Sequence, residues 1–159
     1  MKVISGFQTG ADIAGVKAAK KCGIETGGFI PKGWRTENGA KPHYKSLYNA
    51  VETETYNYKE RTYQNVYISD CTIIFDYIKS TGSLFTKKCC EDLRKPYLYL
   101  VKNDIDNFND CLIKITTFLQ SINNNDIVIN IAGNRESKAP NIEKIVYNIL
   151  IKIFQSFPL

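Results

Sequence analysis

Histidine, methionine and tryptophan each occur once in 159 residues, as His43, Met1 and Trp34. A lone imidazole cannot supply a two-histidine zinc set. Nor does it accompany any serine or cysteine in a motif, so His-activated nucleophilic catalysis has no support. Cysteine is sparse: Cys22, Cys71, Cys89, Cys90 and Cys111 form an odd set without C-x-x-C spacing. They read as reduced thiols filling apolar positions, and no protein-ligated metal is expected. Long apolar runs are missing too. None approaches the ~20 residues of a membrane span, and Gln8, Thr9, Gly10 and Asp12 interrupt any secretory pattern in residues 1–30. The expectation is a cytoplasmic protein with no membrane partner. Basic runs are likewise absent. Net charge is +5, yet lysine and arginine are scattered along the chain rather than gathered in a stripe. This argues against nucleic acid as a partner and leaves a mild preference for small anionic ligands.

What is present is ordinary globular composition, 43% apolar and 23% charged, over a length that suits one domain spanning residues 1–159. "KVIS" (2–5) predicts a strand, and "GADIAGVKAAKKCG" a helix that stops at Gly23. A short strand in "IETGGFIPKG" leads into a loop running to about residue 52. Loops of that length inside a domain tend to be functional. "NYKERTYQNVYISD" predicts a helix with Tyr63, Val66 and Tyr67 at helical spacing. "CTIIFDY" (71–77) has the composition of a strand buried on both faces. "STGSLFTKKCCEDLRKP" reads as a turn entering a helix, and "YLYLV" as the next strand. Apolar residues recur every three or four positions over 105–122, "DIVINIA" supplies the last strand, and a final helix is expected from Pro140. Strands alternating with helices predict an α/β fold: a single Rossmann-like three-layer α/β/α domain with a mostly parallel sheet of about five strands.

Ligands of such sheets bind beyond the carboxyl ends of the strands. Three polar connections stand there. "SGFQTGAD" (5–12) follows the first strand and opens a helix. Gly6 and Gly10 permit tight turning, Ser5, Gln8 and Thr9 add donors, and the helix N-terminus suits phosphate. The competing reading is a plain turn capped by Thr9, since neither a dinucleotide fingerprint nor a P-loop is present. "STGSLFT" (80–86) offers Gly82, Ser83 and Thr86 as a second cradle, or simply an N-cap. "INIAGNRESKAP" (129–140) carries Arg135, a planar fork suited to phosphate or carboxylate, with Lys138, Glu136 and Ser137 beside it. In the long loop, Lys32 and Arg35 add charge, Trp34 could stack on a planar ring or anchor the loop, and Glu37 could meet a sugar hydroxyl or Arg35. Arg61 and Asn65 lie four apart on one helix face, where they can share the cleft.

Together, "SGFQTGAD", "GIETGGFIPKGWRTENG", "YKERTYQNV", "SDCTIIF", "TGSLFT" and "INIAGNRESKAP" resemble, in order and spacing, the molybdenum cofactor carrier family. That family is a branch of the Rossmann-like group that includes the lysine-decarboxylase-like proteins and the cytokinin-activating phosphoribohydrolases (LOG enzymes). The resemblance implies a homo-oligomer, dimer or tetramer, that binds a phosphorylated pterin-type cofactor (molybdopterin) or a related nucleotide. Carried over by position, the implied ligand contacts are Ser5, Gly6, Gln8, Thr9, Gly10, Asp12, Lys32, Gly33, Arg61, Asn65, Gly82, Ser83, Thr86, Gly133, Arg135, Glu136 and Ser137. Phe7, Ile13, Thr81 and Asn134 depart from the family pattern, standing where glycine, a basic residue, glycine and proline are usual. The phosphoribohydrolases also need a carboxylate where this chain has Lys87 and Lys88, with Glu91 about one turn further on. Binding without turnover is therefore the expected role. The alternative is a nucleotide hydrolase cleaving an N-glycosidic bond, with Asp12 and Glu136 as the candidate catalytic groups.

Overall fold

Apolar runs short enough to be strands alternate with helices along the chain, and a computed structural model, describing residues 1–124 and 126–156, shows how they stack. The end of the predicted domain, residues 157–159, lies outside the described residues. The order is β1 (Lys2–Ser5), α1 (Ala11–Lys21), β2 (Glu25–Ile30), β3 (Arg35–Thr36), β4 (Gly39–Ala40), α2 (Tyr44–Tyr48) and β5 (Ala50–Glu52). Then come α3 (Tyr58–Ile68), β6 (Cys71–Asp76), α4 (Thr81–Asp92), β7 (Tyr97–Val101), α5 (Lys102–Asp106), α6 (Phe108–Ser121), β8 (Val128–Gly133) and α7 (Ile142–Ser156).

Six strands form one parallel sheet in the order β5-β2-β1-β8-β6-β7. The fold class read from sequence holds, with one strand more than expected. The addition is β5, three residues long and at the sheet edge, inside what the sequence presents as loop. The same stretch holds α2 and the antiparallel hairpin β3–β4. These pieces are too short to leave a periodic signature. The helix expected over 105–122 is broken at Asn107, whose side chain accepts from the Asp110 amide and starts α6 afresh. The last helix begins at Ile142 rather than Pro140.

The two faces of the sheet are packed unequally. Val3, Ile73, Phe75, Ile129 and Ile131 point to one side, where α1, α6 and α7 cover them in the main core. Gly15 lets α1 lie flush on the sheet, because a Cβ there would come within 2.6 Å of Ile131. The other face is covered by α3 and α4, and its own apolar cluster is small: Val66, Cys89 and Cys90, with Phe85, Leu93 and Tyr97 at its margin. Strand pleating puts Thr72, Asn130 and Ala132 on this thinner side. Moving β8 and α7 ahead of β1 would let the strands run β8-β1-β2-β5 to one edge and β6-β7 to the other. The switch point of the sheet therefore lies between β8 and β6. Among the described residues no helix is long and apolar enough to cross a membrane.

Candidate functional site

A cleft of about 360 Å³ opens at the carboxyl ends of β1, β8 and β6 and runs between α3 and α4 towards the sheet. Helix α3 makes it possible by packing inside out. Tyr63 and Tyr67, 46% and 61% exposed, stack on each other at the surface, whereas Arg61 and Asn65 are buried. The tyrosine spacing was helical but marked the outer face. Asn65 spends its amide on strand β2, accepting from the Phe29 N–H (2.8 Å) and donating to the Phe29 carbonyl (3.0 Å). Its neighbour one turn away is left to serve the cleft.

Arg61 lies across Gly6, where any Cβ would meet its guanidinium at 2.0 Å. That close approach is what the glycine is for. Nη1 donates to the Gly6 carbonyl (2.5 Å) and to Asp12 Oδ2 (3.1 Å), while Nε is buried with no partner. Asp12 also accepts from the Gln8 amide at 3.3 Å. Burial raises the Asp12 pKa to about 6, with Arg61 and the backbone amides pulling it back only in part. Burial likewise lowers the Arg61 pKa despite Asp12. On both partners desolvation outweighs mutual attraction, as it does for many buried ion pairs. The result is a carboxyl group that can hold or release a proton near neutrality, beside a cation with one donor to spare.

The first sequence-predicted cradle is closed. Gly10 has φ 80°, and a Cβ there would meet the Asn134 carbonyl at 2.3 Å and the Glu136 amide at 2.8 Å. The Ala11 N–H donates to the Asn134 carbonyl (3.0 Å), so the first amide of α1 is taken by the protein's own backbone. Here glycine admits the 134–136 chain. The hairpin then clamps the junction. Glu37 accepts from the Thr9 hydroxyl and from the Ser137 hydroxyl and amide, and stands 3.6 Å from Arg135 Nε. Gln8 Oε1 accepts from the Glu37 and Thr9 amides (2.9 and 3.1 Å). Burial would raise the Glu37 pKa, but the hydrogen bonds from Ser137 and Thr9, with Arg135, hold it below the ordinary value.

The second cradle is open. Ser80 caps α4 by accepting from the Ser83 amide (3.1 Å), and the Thr86 hydroxyl donates to the Gly82 carbonyl (3.1 Å). The Thr81 and Gly82 amides, in the first turn, have no acceptor within the helix, and both residues line the cleft. A Cβ on Gly82 would touch nothing within 4 Å. Asn134 welds this turn to β8: it donates to Asp76 (2.9 Å), the Ile78 carbonyl (2.9 Å) and Ser80 (3.2 Å), and accepts from the Ile78 amide (2.8 Å).

Of the residues singled out in the sequence, Gly6, Gln8, Asp12, Arg61, Asn65, Gly82, Thr86, Gly133, Arg135 and Lys138 line the cleft. Ser5, Thr9, Gly10, Ser83 and Ser137 belong to its framework, and the Ser5 hydroxyl accepts from the Phe7 amide. Lys32 and Gly33 are elsewhere: their amides bond the Thr55 carbonyl and the Glu52 carboxylate. Trp34 packs beside the Phe7, Ile30 and Tyr48 cluster as an anchor, and Arg35 lies over the Tyr58 ring. Glu136 does not line the cleft. Its carboxylate accepts from the Asn141 and Glu143 amides at the start of α7, a capping role set by the dipole and unpaired donors of that helix end. Lys87 and Lys88 are paired with Glu91 and Asp92. The residues missed are Tyr58, Lys59, Thr62 and Phe85 on the walls and Asn130 and Ala132 on the floor. Only Asn130, a polar residue inside an apolar strand, left a sequence signal.

Residues 3–154 match the circularly permutated YpsA SLOG family. A crystal structure from Syntrophus aciditrophicus SB, described as a "putative molybdenum carrier protein", superposes with a TM-score of 0.86 at 36% identity, over 98% of this chain and 94% of that one. No curated protein matches.

Proposed function

The chain belongs to the circularly permutated YpsA SLOG family, and from that premise we propose that it binds a phosphorylated small molecule, a molybdopterin-type cofactor or a related nucleotide derivative, in the cleft between α3 and α4. The observation that carries this reading is the charge and donor arrangement at the cleft mouth. Lys59, Arg135 and Lys138 line it with the buried Arg61 behind them, against the single carboxylate Asp12, and the open first turn of α4 at Thr81 and Gly82 borders the same cleft. Cations and unpaired helix amides lining one cleft favour a phosphate. The relative of similar structure bears the name of a molybdenum carrier, which agrees with a carrier role for this chain.

The residues fit a pterin phosphate. The orphaned Arg61 Nε and the orphaned Asn130 Oδ1 offer a donor and an acceptor, and Tyr58 and Phe85 provide ring walls. A molybdopterin carries its own dithiolene sulfurs for the metal. Among the described residues no cluster of three His, Cys, Asp or Glu could hold a metal ion itself.

Thermal shift with molybdopterin and a panel of nucleoside monophosphates tests the reading. A ligand at a hundredfold excess over Kd adds ~2.7 kcal/mol to stability. The Arg135 side chain is 44% exposed and its pairing with Glu37 is loose, so Arg135→Ala should fold normally and lose most of that gain. An equal gain in the variant would remove Arg135 from the site. Native mass spectrometry of freshly purified protein would show copurified ligand and also test the homo-oligomer that the family resemblance implies.

A second reading, a nucleotide hydrolase, is favoured by one observation: Asp12 lines the cleft and has a pKa of about 6. A general acid works best when its pKa lies near the working pH. This reading requires release of free base or ribose phosphate from the panel, abolished by Asp12→Asn and preserved in Glu136→Gln. No turnover across the panel leaves the carrier.

A further inference from the structure

The deep end of the cleft is chemically unlike its mouth. Asn130 is 2% exposed and lines it, with Oδ1 buried and unpartnered. Among the described residues its side chain makes one hydrogen bond, from Nδ2 to the Thr72 hydroxyl (3.3 Å). With Nδ2 on that hydroxyl, the carbonyl is the half of the Asn130 amide left without a partner. An apolar residue of the same shape would fill the position without leaving a buried acceptor unsatisfied, which is costly. A polar partner entering the cleft would satisfy it.

The register supplies the rest. Ile4 pairs with Asn130 across the sheet, so Gly6 and the guanidinium lying on it stand level with Ala132, two residues nearer the mouth. Two strand residues span ~7 Å. The small Ala132 side chain between them lines the cleft and leaves it deep. An unpaired acceptor (Asn130 Oδ1) and an unpaired donor (Arg61 Nε) thus occur in the same slot, at successive depths, with Phe85 on its α4 wall.

Resting on the reading that the mouth takes a phosphate, we propose that the slot receives a flat nitrogen heterocycle carrying both an N–H donor and an acceptor, as on the lactam–amine edge of guanine and of pterins. Asn130 is its specificity-determining residue. The ring N–H donates to Asn130 Oδ1, and Arg61 Nε donates to the ring acceptor. The phosphate stays outside, at the first turn of α4.

Calorimetric titration with guanosine 5′-monophosphate, a phosphorylated pterin and ribose 5-phosphate tests this. The intact protein should bind at least one ring-bearing compound tenfold or more tightly than ribose 5-phosphate. Asn130→Leu should erase that preference, keep the ribose 5-phosphate affinity, and melt no lower than the parent without ligand. Ala132→Val keeps the amide but fills the slot, so it should erase the preference even if Asn130→Leu does not fold. Equal binding of ring-bearing and ring-free compounds by the parent, or a preference that survives both substitutions, overturns the slot and leaves the phosphate site standing. If none of the three compounds binds, slot and phosphate site fall together.

Discussion

Replacing Asp12 with asparagine should change how stability depends on pH, in a direction opposite to that of most salt-bridged carboxylates. The ordinary carboxyl pKa of 3.8 governs the unfolded chain, whereas the folded value is about 6 because burial costs the carboxylate more than Arg61 returns. Below the lower value both states hold the proton and the contribution to stability is complete. Between the two values the folded protein keeps the proton while the unfolded chain releases it, so stability falls as pH rises. Above the upper value the loss is complete. Linkage converts the gap between 3.8 and about 6 into a loss of about 3 kcal/mol. Urea denaturation of the parent and of Asp12→Asn at half-unit intervals from pH 3.5 to 7.5 isolates it, since every other group titrates alike in both. Whatever asparagine does to Arg61 enters as a constant offset; the slope of the difference does not depend on it. The parent should lose ground to the variant by about 3 kcal/mol across the window. Parallel curves, or a parent that gains on the variant as pH rises, would refute the claim that desolvation dominates this pair.

The two cradles should respond oppositely to alanine. Gly10→Ala meets the Asn134 carbonyl at 2.3 Å from a backbone of φ 80°, so calorimetry should show a loss of at least ~2 kcal/mol. Gly82→Ala enters open space and should raise the melting temperature of the ligand-free protein by ~2–4 °C through helix propensity. An insensitive Gly10 would mean that the 134–136 chain does not pack where described. Glu37→Gln removes the charge that gathers Thr9, Ser137 and Arg135. A cost of ~1–3 kcal/mol is expected, with faster amide exchange at residues 135–138. Because the Glu37 pKa is held below its ordinary 4.5, the stability it adds is present above that pH and drains as the solution is acidified; the variant should lack that part of the acid limb. Unchanged exchange at Ser137 would separate the hairpin from the site.

The central strands and long helices were legible because their signal is local. β6 is buried along its length around an apolar run, Ile73–Phe75, and α7 carries Ile142, Val146, Ile149 and Ile153 on one stripe. The region 31–57 was not, since two-residue strands and a five-residue helix impose no period. Their stability comes from partners distant in sequence, such as Glu37 on Ser137. Helix α3 was legible in part. Arg61 and Asn65 share the cleft face as their spacing suggested, but of the apolar set only Val66 is buried and the tyrosines face out, a choice made by Asp12 and the Gly6 carbonyl. The glycines were recognised as special without the reason being visible. Gly6 and Gly10 yield space to protein atoms, and of the cleft-lining glycines Gly6, Gly82 and Gly133 only Gly82 leaves open space for a Cβ.

What the chain determined unaided is the alternation of strand and helix, and hence a parallel sheet whose polar turns gather at one rim. These follow from side-chain period and turn chemistry, which act over a few residues. Which turns are closed by the protein itself, which carboxylate is spent on a helix end and which keeps a proton, and which arginine is buried, were decided only by the packed fold. Burial and desolvation depend on everything that surrounds a group, and for Asp12 and Arg61 those surroundings come from β1, α1, α3 and β8 at once.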